Sequence, residues 1–335
     1  MKGQHKLDVL RKSLASADEG ERLYAVEDLC EAGVPESVPY LVISLKAENS
    51  QVVRDAMLFA LKKLDCSGTY PSIFELFRSE DAYLRNAAVS IFGAGGDDAV
   101  AFLASRLDEA DREVRKMILD ALMETGLPHA RLAIRAGLHD TAPNVRITAV
   151  EYLGRLRDTG SVGEMLALFR TDPEPMLRAT IMEALSSVGD IGAIKAVVCL
   201  IMLEEGVNDL NRIHLPQLMK LVGMTCSEED VARILGSVPD VDVYAEDIIT
   251  MLGQAKKRLG GVVLGREAQD ALHHLVAAPS LREDLQYGAL ALLARSGTAR
   301  ARKTIEEILN KADDEDLRSF CRECLDAGPV AGGKL

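Results

Sequence analysis

Seven arginines stand at nearly even intervals along the chain: Arg22, Arg54, Arg85, Arg115, Arg146, Arg178 and Arg212, separated by 32, 31, 30, 31, 32 and 34 residues. A fixed period of this length marks stacked supersecondary units, each too small to bury its own apolar face. Three residues after each arginine stand Ala25, Met57, Ala88, Ile118, Ala149, Ile181 and Leu215, and seven after it stand Leu29, Leu61, Phe92, Leu122, Leu153, Leu185 and Met219. All are apolar, and offsets of three and seven trace one face of a 3.6-residue helix. Each arginine therefore opens an amphipathic helix.

Eleven residues after the anchor comes Gly33, Gly96, Gly126, Gly189 or Gly223 in five copies, where a glycine can take the left-handed conformation that ends a helix. Upstream of most anchors sits an acidic, Asn or Pro start signal: Asn49, Asp81, Asp111, Pro143, Pro173 and Asn208. Between successive anchored helices lie shorter apolar-periodic stretches at 38–46, 70–78, 100–107, 129–138 and 162–170. Each unit thus reads as a helical hairpin.

The recurring Val/Leu-Arg-x-x-Ala/apolar core with its terminal glycine, as in Leu84-Arg85-Asn-Ala-Ala88 and Val114-Arg115-Lys-Met-Ile118, resembles the HEAT-repeat family. It is most similar to the short bacterial repeats of phycobilisome-lyase-like proteins. The resemblance implies an all-α fold, an α-solenoid or HEAT-like superhelix of about ten hairpins. Seven regular repeats are expected over 1–223 and about three divergent ones over 224–326, where the anchor arginine is lost, with a disordered tail at 327–335. The pairs expected in the divergent part are 227–236 with 242–259, 266–276 with 281–295, and 298–310 with 313–326.

Composition narrows the function. Acidic residues outnumber basic ones by 52 to 39, and there is no Trp among 7 Tyr and 7 Phe. Nucleic-acid backbones attract clustered Lys and Arg, and bases stack on aromatic rings, so a nucleic-acid partner is not expected. Neither is a membrane, since no apolar run reaches about 18 residues. The first twenty residues show no signal-peptide pattern, and the six cysteines are too sparse for a disulfide framework. The chain reads as cytoplasmic, with reduced thiols. Cys321 and Cys324, one turn apart without a second pair nearby, read as buried thiols and not a metal clamp.

Catalytic motifs fail on inspection. Gly260-Gly-Val-Val-Leu-Gly265-Arg266-Glu267 has the glycine spacing of a phosphate loop but Arg-Glu where Lys-Ser/Thr is needed. No His-Glu dipeptide occurs, which sets the chain apart from the iron-binding hydroxylases of the same repeat family. Neither a cofactor nor a metal is expected. The resemblance to HEAT repeats implies that the arginines are structural anchors bridging to carbonyls and acids of the adjacent turn, with Asp81, Asp111, Asp140, Asp172 and Asp209 near them in sequence.

Five residues after the anchors stand Glu27, Phe59, Ser90, Asp120, Glu151, Glu183 and Gln217. These lie opposite the apolar stripe, and by family resemblance the anchored helices line the concave groove. Glu27, Phe59, Asp120, Glu151, Glu183 and Gln217 are therefore the candidate partner-binding stripe, suited to a basic protein or peptide. The expected function is a non-enzymatic scaffold or adaptor, in signalling or complex assembly. The resemblance also raises a bilin lyase and, more remotely, a HEAT-like DNA glycosylase, which the absence of Trp and the excess of acid disfavour.

Overall fold

A computed structural model describes residues 10–201, 214–225, 228–259, 265–278 and 280–326. Arg212, Asn208, the 260–264 part of the glycine-rich stretch and the tail at 327–335 lie outside the described residues. Among those described there is no strand. The chain forms two compact units, Met1–Asp158 and Thr159–Leu335.

In the first unit the anchored helices are α1 (Glu19–Ala32), α3 (Gln51–Lys63), α5 (Ala82–Gly93), α7 (Arg112–Glu124) and α9 (Pro143–Arg155), and each packs on the next. Alternating with them are α2 (Val38–Ala47), α4 (Tyr70–Phe74), α6 (Gly96–Ala104) and α8 (Ala130–Ala136), which form a second layer. In the second unit one layer runs through α11 (Pro175–Val188), α13 (Leu215–Thr225), α15 (Ala245–Leu259), α17 (Glu283–Ser296) and α19 (Glu315–Asp326). The other contains α10 (Val162–Thr171), α12 (Ile191–Cys199), α14 (Glu228–Ser237), α16 (Arg266–Ala277) and α18 (Ala299–Lys311). Each unit is thus a HEAT-like solenoid of stacked hairpins.

The cores follow the stripe read from sequence. All the apolar residues at offsets three and seven are at most 2% exposed. The first unit also concentrates aromatic rings: Phe92 lies 5.2 Å from Tyr70, 5.6 Å from Phe77 and 5.7 Å from Phe102, centre to centre. Rings packed into a core in this way are withheld from the surface.

Helix ends explain the lengths. Asp81 and Asp111 cap their helices, accepting from the backbone N–H of Tyr83 and Glu113, both at 2.8 Å. Ser50, and not Asn49, caps α3, and α11 begins at Pro175 behind a capping Glu174 instead of at Pro173. The short helix expected at 100–107 begins earlier, at Gly96, with Asp97 and Asp98 in its first turn favouring the positive end of the helix dipole.

The offset of eleven is a left-handed position in five places, Gly33 (φ 61°), Gly96 (66°), Gly126 (64°), Arg157 (50°) and Gly189 (78°), and Gly297 (69°) ends α17 in the same conformation. Arg157 takes there a conformation that costs an L-residue about 1–2 kcal/mol. Gly223 departs from the expectation, because α13 runs on to Thr225. A Cβ at Gly223 would lie 2.8 Å from Gln254 Oε1 and 3.1 Å from the Met251 carbonyl oxygen. Its glycine serves close approach of α13 to α15 and does not end the helix.

No single helix among the described residues is long and apolar enough to cross a membrane. The apolar pair α5 and α6 is bent by 119°, and its apolar side chains include the buried Ile91, Phe92, Val100 and Leu103 of the repeat core.

Candidate functional site

The anchor arginines share one geometry. Arg22, Arg85, Arg115 and Arg146 each donate from Nη1 to the carbonyls six and five residues earlier, at 2.7–3.2 Å. Arg54 reaches the carbonyl of Glu48 through Nε at 2.6 Å. Those carbonyls lie in the turn within each hairpin, where the chain has left one helix and has not begun the next, so the guanidinium satisfies groups that the helices leave open.

Arg22, Arg54 and Arg115 also reach forward into the next repeat. Arg22 grips Glu48 with two bonds, Nε–Oε2 2.7 Å and Nη2–Oε1 3.0 Å. Arg54 pairs with Asp81 at 3.0 Å. Arg115 grips Asp140 at 2.6 and 2.8 Å, with both side chains about nine-tenths buried. The Arg22 hydrogen bond holds the Glu48 carboxyl below its ordinary value against the opposing effect of burial. Burial works to raise the Asp140 carboxyl, but the bonds from Arg115 and the Ala142 N–H, with the charge of Arg115 and Arg146, leave it lowered. Of the acids named from sequence, Asp81 and Asp140 face anchors, and Asp111 instead caps α7. Asp172 accepts from the Glu174 N–H at 3.0 Å, and Asp209 lies outside the described residues. Arg178 stacks over Phe169 at 4.4 Å.

The candidate stripe is uneven. Glu27 and Glu151 are exposed on α1 and α9, and Arg155 stands 3.8 Å from Glu151. Phe59 is 57% exposed on α3, with the Lys63 ammonium 4.1 Å above its ring. Asp120 is half-buried and already engaged: it accepts from the Tyr152 hydroxyl of the next repeat at 2.6 Å and from Lys116 at 3.1 Å. Tyr83 donates in the same way to Asp55 at 2.9 Å. Asp120 is thus part of the stack between neighbouring helices.

In the second unit, Glu183 and Gln217 come together in a groove of about 360 Å³ across α11, α13 and α15. Lys220 of α13 lies in it and donates to Glu183 at 2.7 Å. From α15 come Glu246, Asp247, Thr250 and Gln254. Asp247, Thr250 and Gln254 stand at i, i+3 and i+7, one face of that helix, while Ile248, Met251, Leu252 and Ala255 bury another. Sequence reasoning missed these residues because α15 carries no anchor arginine to set its register, although the period of its own polar residues marks the face. Burial, and next the charge of Glu246, raise the Asp247 carboxyl. The close contact at Gly223 fixes the spacing of two of the three helices.

At the chain's end, Cys321 is buried and Cys324 half-buried on α19. Burial pushes the Cys321 thiol up to about 11 and raises that of Cys324, so both stay protonated and poorly nucleophilic. Among the described residues no group of His, Cys, Asp and Glu is placed to hold a metal ion.

Hairpins stapled from one turn to the next define a helical-repeat protein, and residues 131–212 match the family model of HEAT repeats. The chain is similar over 98% of its length to the whole of an engineered protein whose crystal structure was determined by the Northeast Structural Genomics Consortium, at 17% identity and a TM-score of 0.48. No curated protein matches the sequence.

Proposed function

We propose that the protein is a non-enzymatic scaffold that binds another protein across the outward face of its long helices. The observation that carries this reading is the exposure of large side chains on that face. Tyr24 on α1 is 70% exposed, and on the adjacent α3 Val52 and Phe59, seven residues apart and so on one side of the helix, are 58% and 57% exposed. Neighbouring exposed apolar side chains are characteristic of contact surfaces, and aromatic ones supply anchors there. In the second unit Met176, 62% exposed, and Glu183 occupy the equivalent positions of α11. Selectivity comes from the carboxylates around such anchors, which favour a basic partner and repel an acidic one.

The test is affinity capture from the native cell with the tagged full chain, repeated with Val52→Asp/Phe59→Asp and with Glu27→Lys/Glu151→Lys. Asp120 is left intact because it holds Tyr152. Loss of an interface anchor lowers recovery of the specific partner at least about tenfold. Equal recovery by all three chains, with unchanged circular dichroism, overturns the reading.

A further inference from the structure

We infer that the groove between α11, α13 and α15 receives an arginine side chain of the partner protein, seated on Asp247. The inference rests on the scaffold reading and names the chemistry recognised by one part of its surface.

The groove has an excess of acceptors. Two cations beside it are already engaged, Lys220 with Glu183 and Arg282 with Glu246, each at 2.7 Å. Asp247, half-buried, has neither a cation nor a hydrogen-bond donor among the described residues. Two further acceptors on residues that line it, Gln217 Oε1 and Gln254 Oε1, are buried without a donor. A partly buried carboxylate without a donor is costly to leave as it is, and an incoming cation relieves that cost. An anion would meet three carboxylates.

Arginine fits this deficit better than lysine. Its planar guanidinium carries five N–H donors, pairs with a carboxylate through two parallel bonds, and sheds water more readily than an ammonium. A space of about 360 Å³ lies at the small end of ligand sites, enough for one side chain reaching in from a bound segment. The exposed rims of the three helices are left to the rest of that segment.

The experiment is an NMR titration of the full chain with a capped Gly/Ser nonapeptide carrying one central arginine. Parallel arms use citrulline, the neutral isostere, at the same position, and free arginine amide. The arginine peptide is expected to shift the amides of Gln217, Lys220, Asp247 and Thr250, and the citrulline peptide to leave them in place. Asp247→Asn is expected to weaken the arginine peptide at least about tenfold, as loss of a close charge pair does, with folding checked by the unchanged remainder of the spectrum. Arginine and citrulline peptides binding alike, an unaltered affinity in Asp247→Asn, or free arginine amide binding as tightly as the peptide each overturn the inference. The wild-type comparison of arginine with citrulline decides the matter even where the variant is poorly folded. A failure here with partner capture still sensitive to Val52 and Phe59 leaves the scaffold reading standing, whereas insensitive capture removes that reading whatever the peptides do.

Discussion

Removing either half of the Arg115–Asp140 pair tests whether the anchors staple one repeat to the next. The two bonds are 2.6 and 2.8 Å long, and the side chains are 11% and 9% exposed. A charge-assisted hydrogen bond contributes about 1.5–3 kcal/mol, while breaking a fully buried pair costs about 3–5 kcal/mol. Asp140→Asn keeps an acceptor for the Ala142 N–H but turns amide donors on guanidinium donors, so about 2–3 kcal/mol is expected. Arg115→Met should cost about 3 kcal/mol, because the carbonyls of Glu109 and Ala110 lose a donor as well. The double variant should recover about 2 kcal/mol of coupling. Two units invite separate unfolding, so the assay is native-state hydrogen exchange read from amides of α7 and α9. The pair has a pH signature. With the folded carboxyl held below its ordinary 3.8, the stabilisation is complete above that value and lost as pH falls through the lower, folded one. Asp140→Asn should flatten this acid limb. Coupling under about 0.5 kcal/mol, the magnitude of a solvated surface pair, together with an unchanged acid limb, would refute the staple.

Phe92→Ala should destabilise the first unit by about 3–5 kcal/mol, since it removes the ring that touches Tyr70, Phe77 and Phe102; urea unfolding and near-ultraviolet dichroism measure this. At the left-handed helix ends, Gly126→Ala should cost about 1–2 kcal/mol on backbone conformation alone, because the space for a Cβ there is open. Arg157→Gly should change stability in the opposite direction, by about 1 kcal/mol or less once the glycine's own entropy is counted; thermal melts of the two variants should move to opposite sides of the parent.

What could be read from the sequence, and what could not, divides along the difference between a repeat's own period and the fit of one repeat on another. Ala25, Leu29 and their counterparts lie on the core face because 3.6 residues per turn fixes where offsets of three and seven point, whatever the neighbour does. Arg157 in the left-handed position shows that the turn after an anchored helix can persist where glycine is missing. Partners are another matter. Arg22 bonds Glu48, Arg54 bonds Asp81 and Arg115 bonds Asp140, each acid standing in the turn of the following repeat. Choosing Glu48 over Asp18 or Asp28 requires knowing how one hairpin is rotated on the next, and a period carries no such rotation. The same ignorance made the carboxylates of the candidate stripe look free to meet a partner. Asp120 is engaged by Tyr152, and Glu183 by Lys220, at offsets of six and eight in other helices, positions that no inspection of offset five alone would pair. By the same logic the groove at Asp247 was hidden: it forms where α13 closes on α15 at Gly223, a glycine whose spacing suggested a helix end and whose bare Cα serves a helix contact.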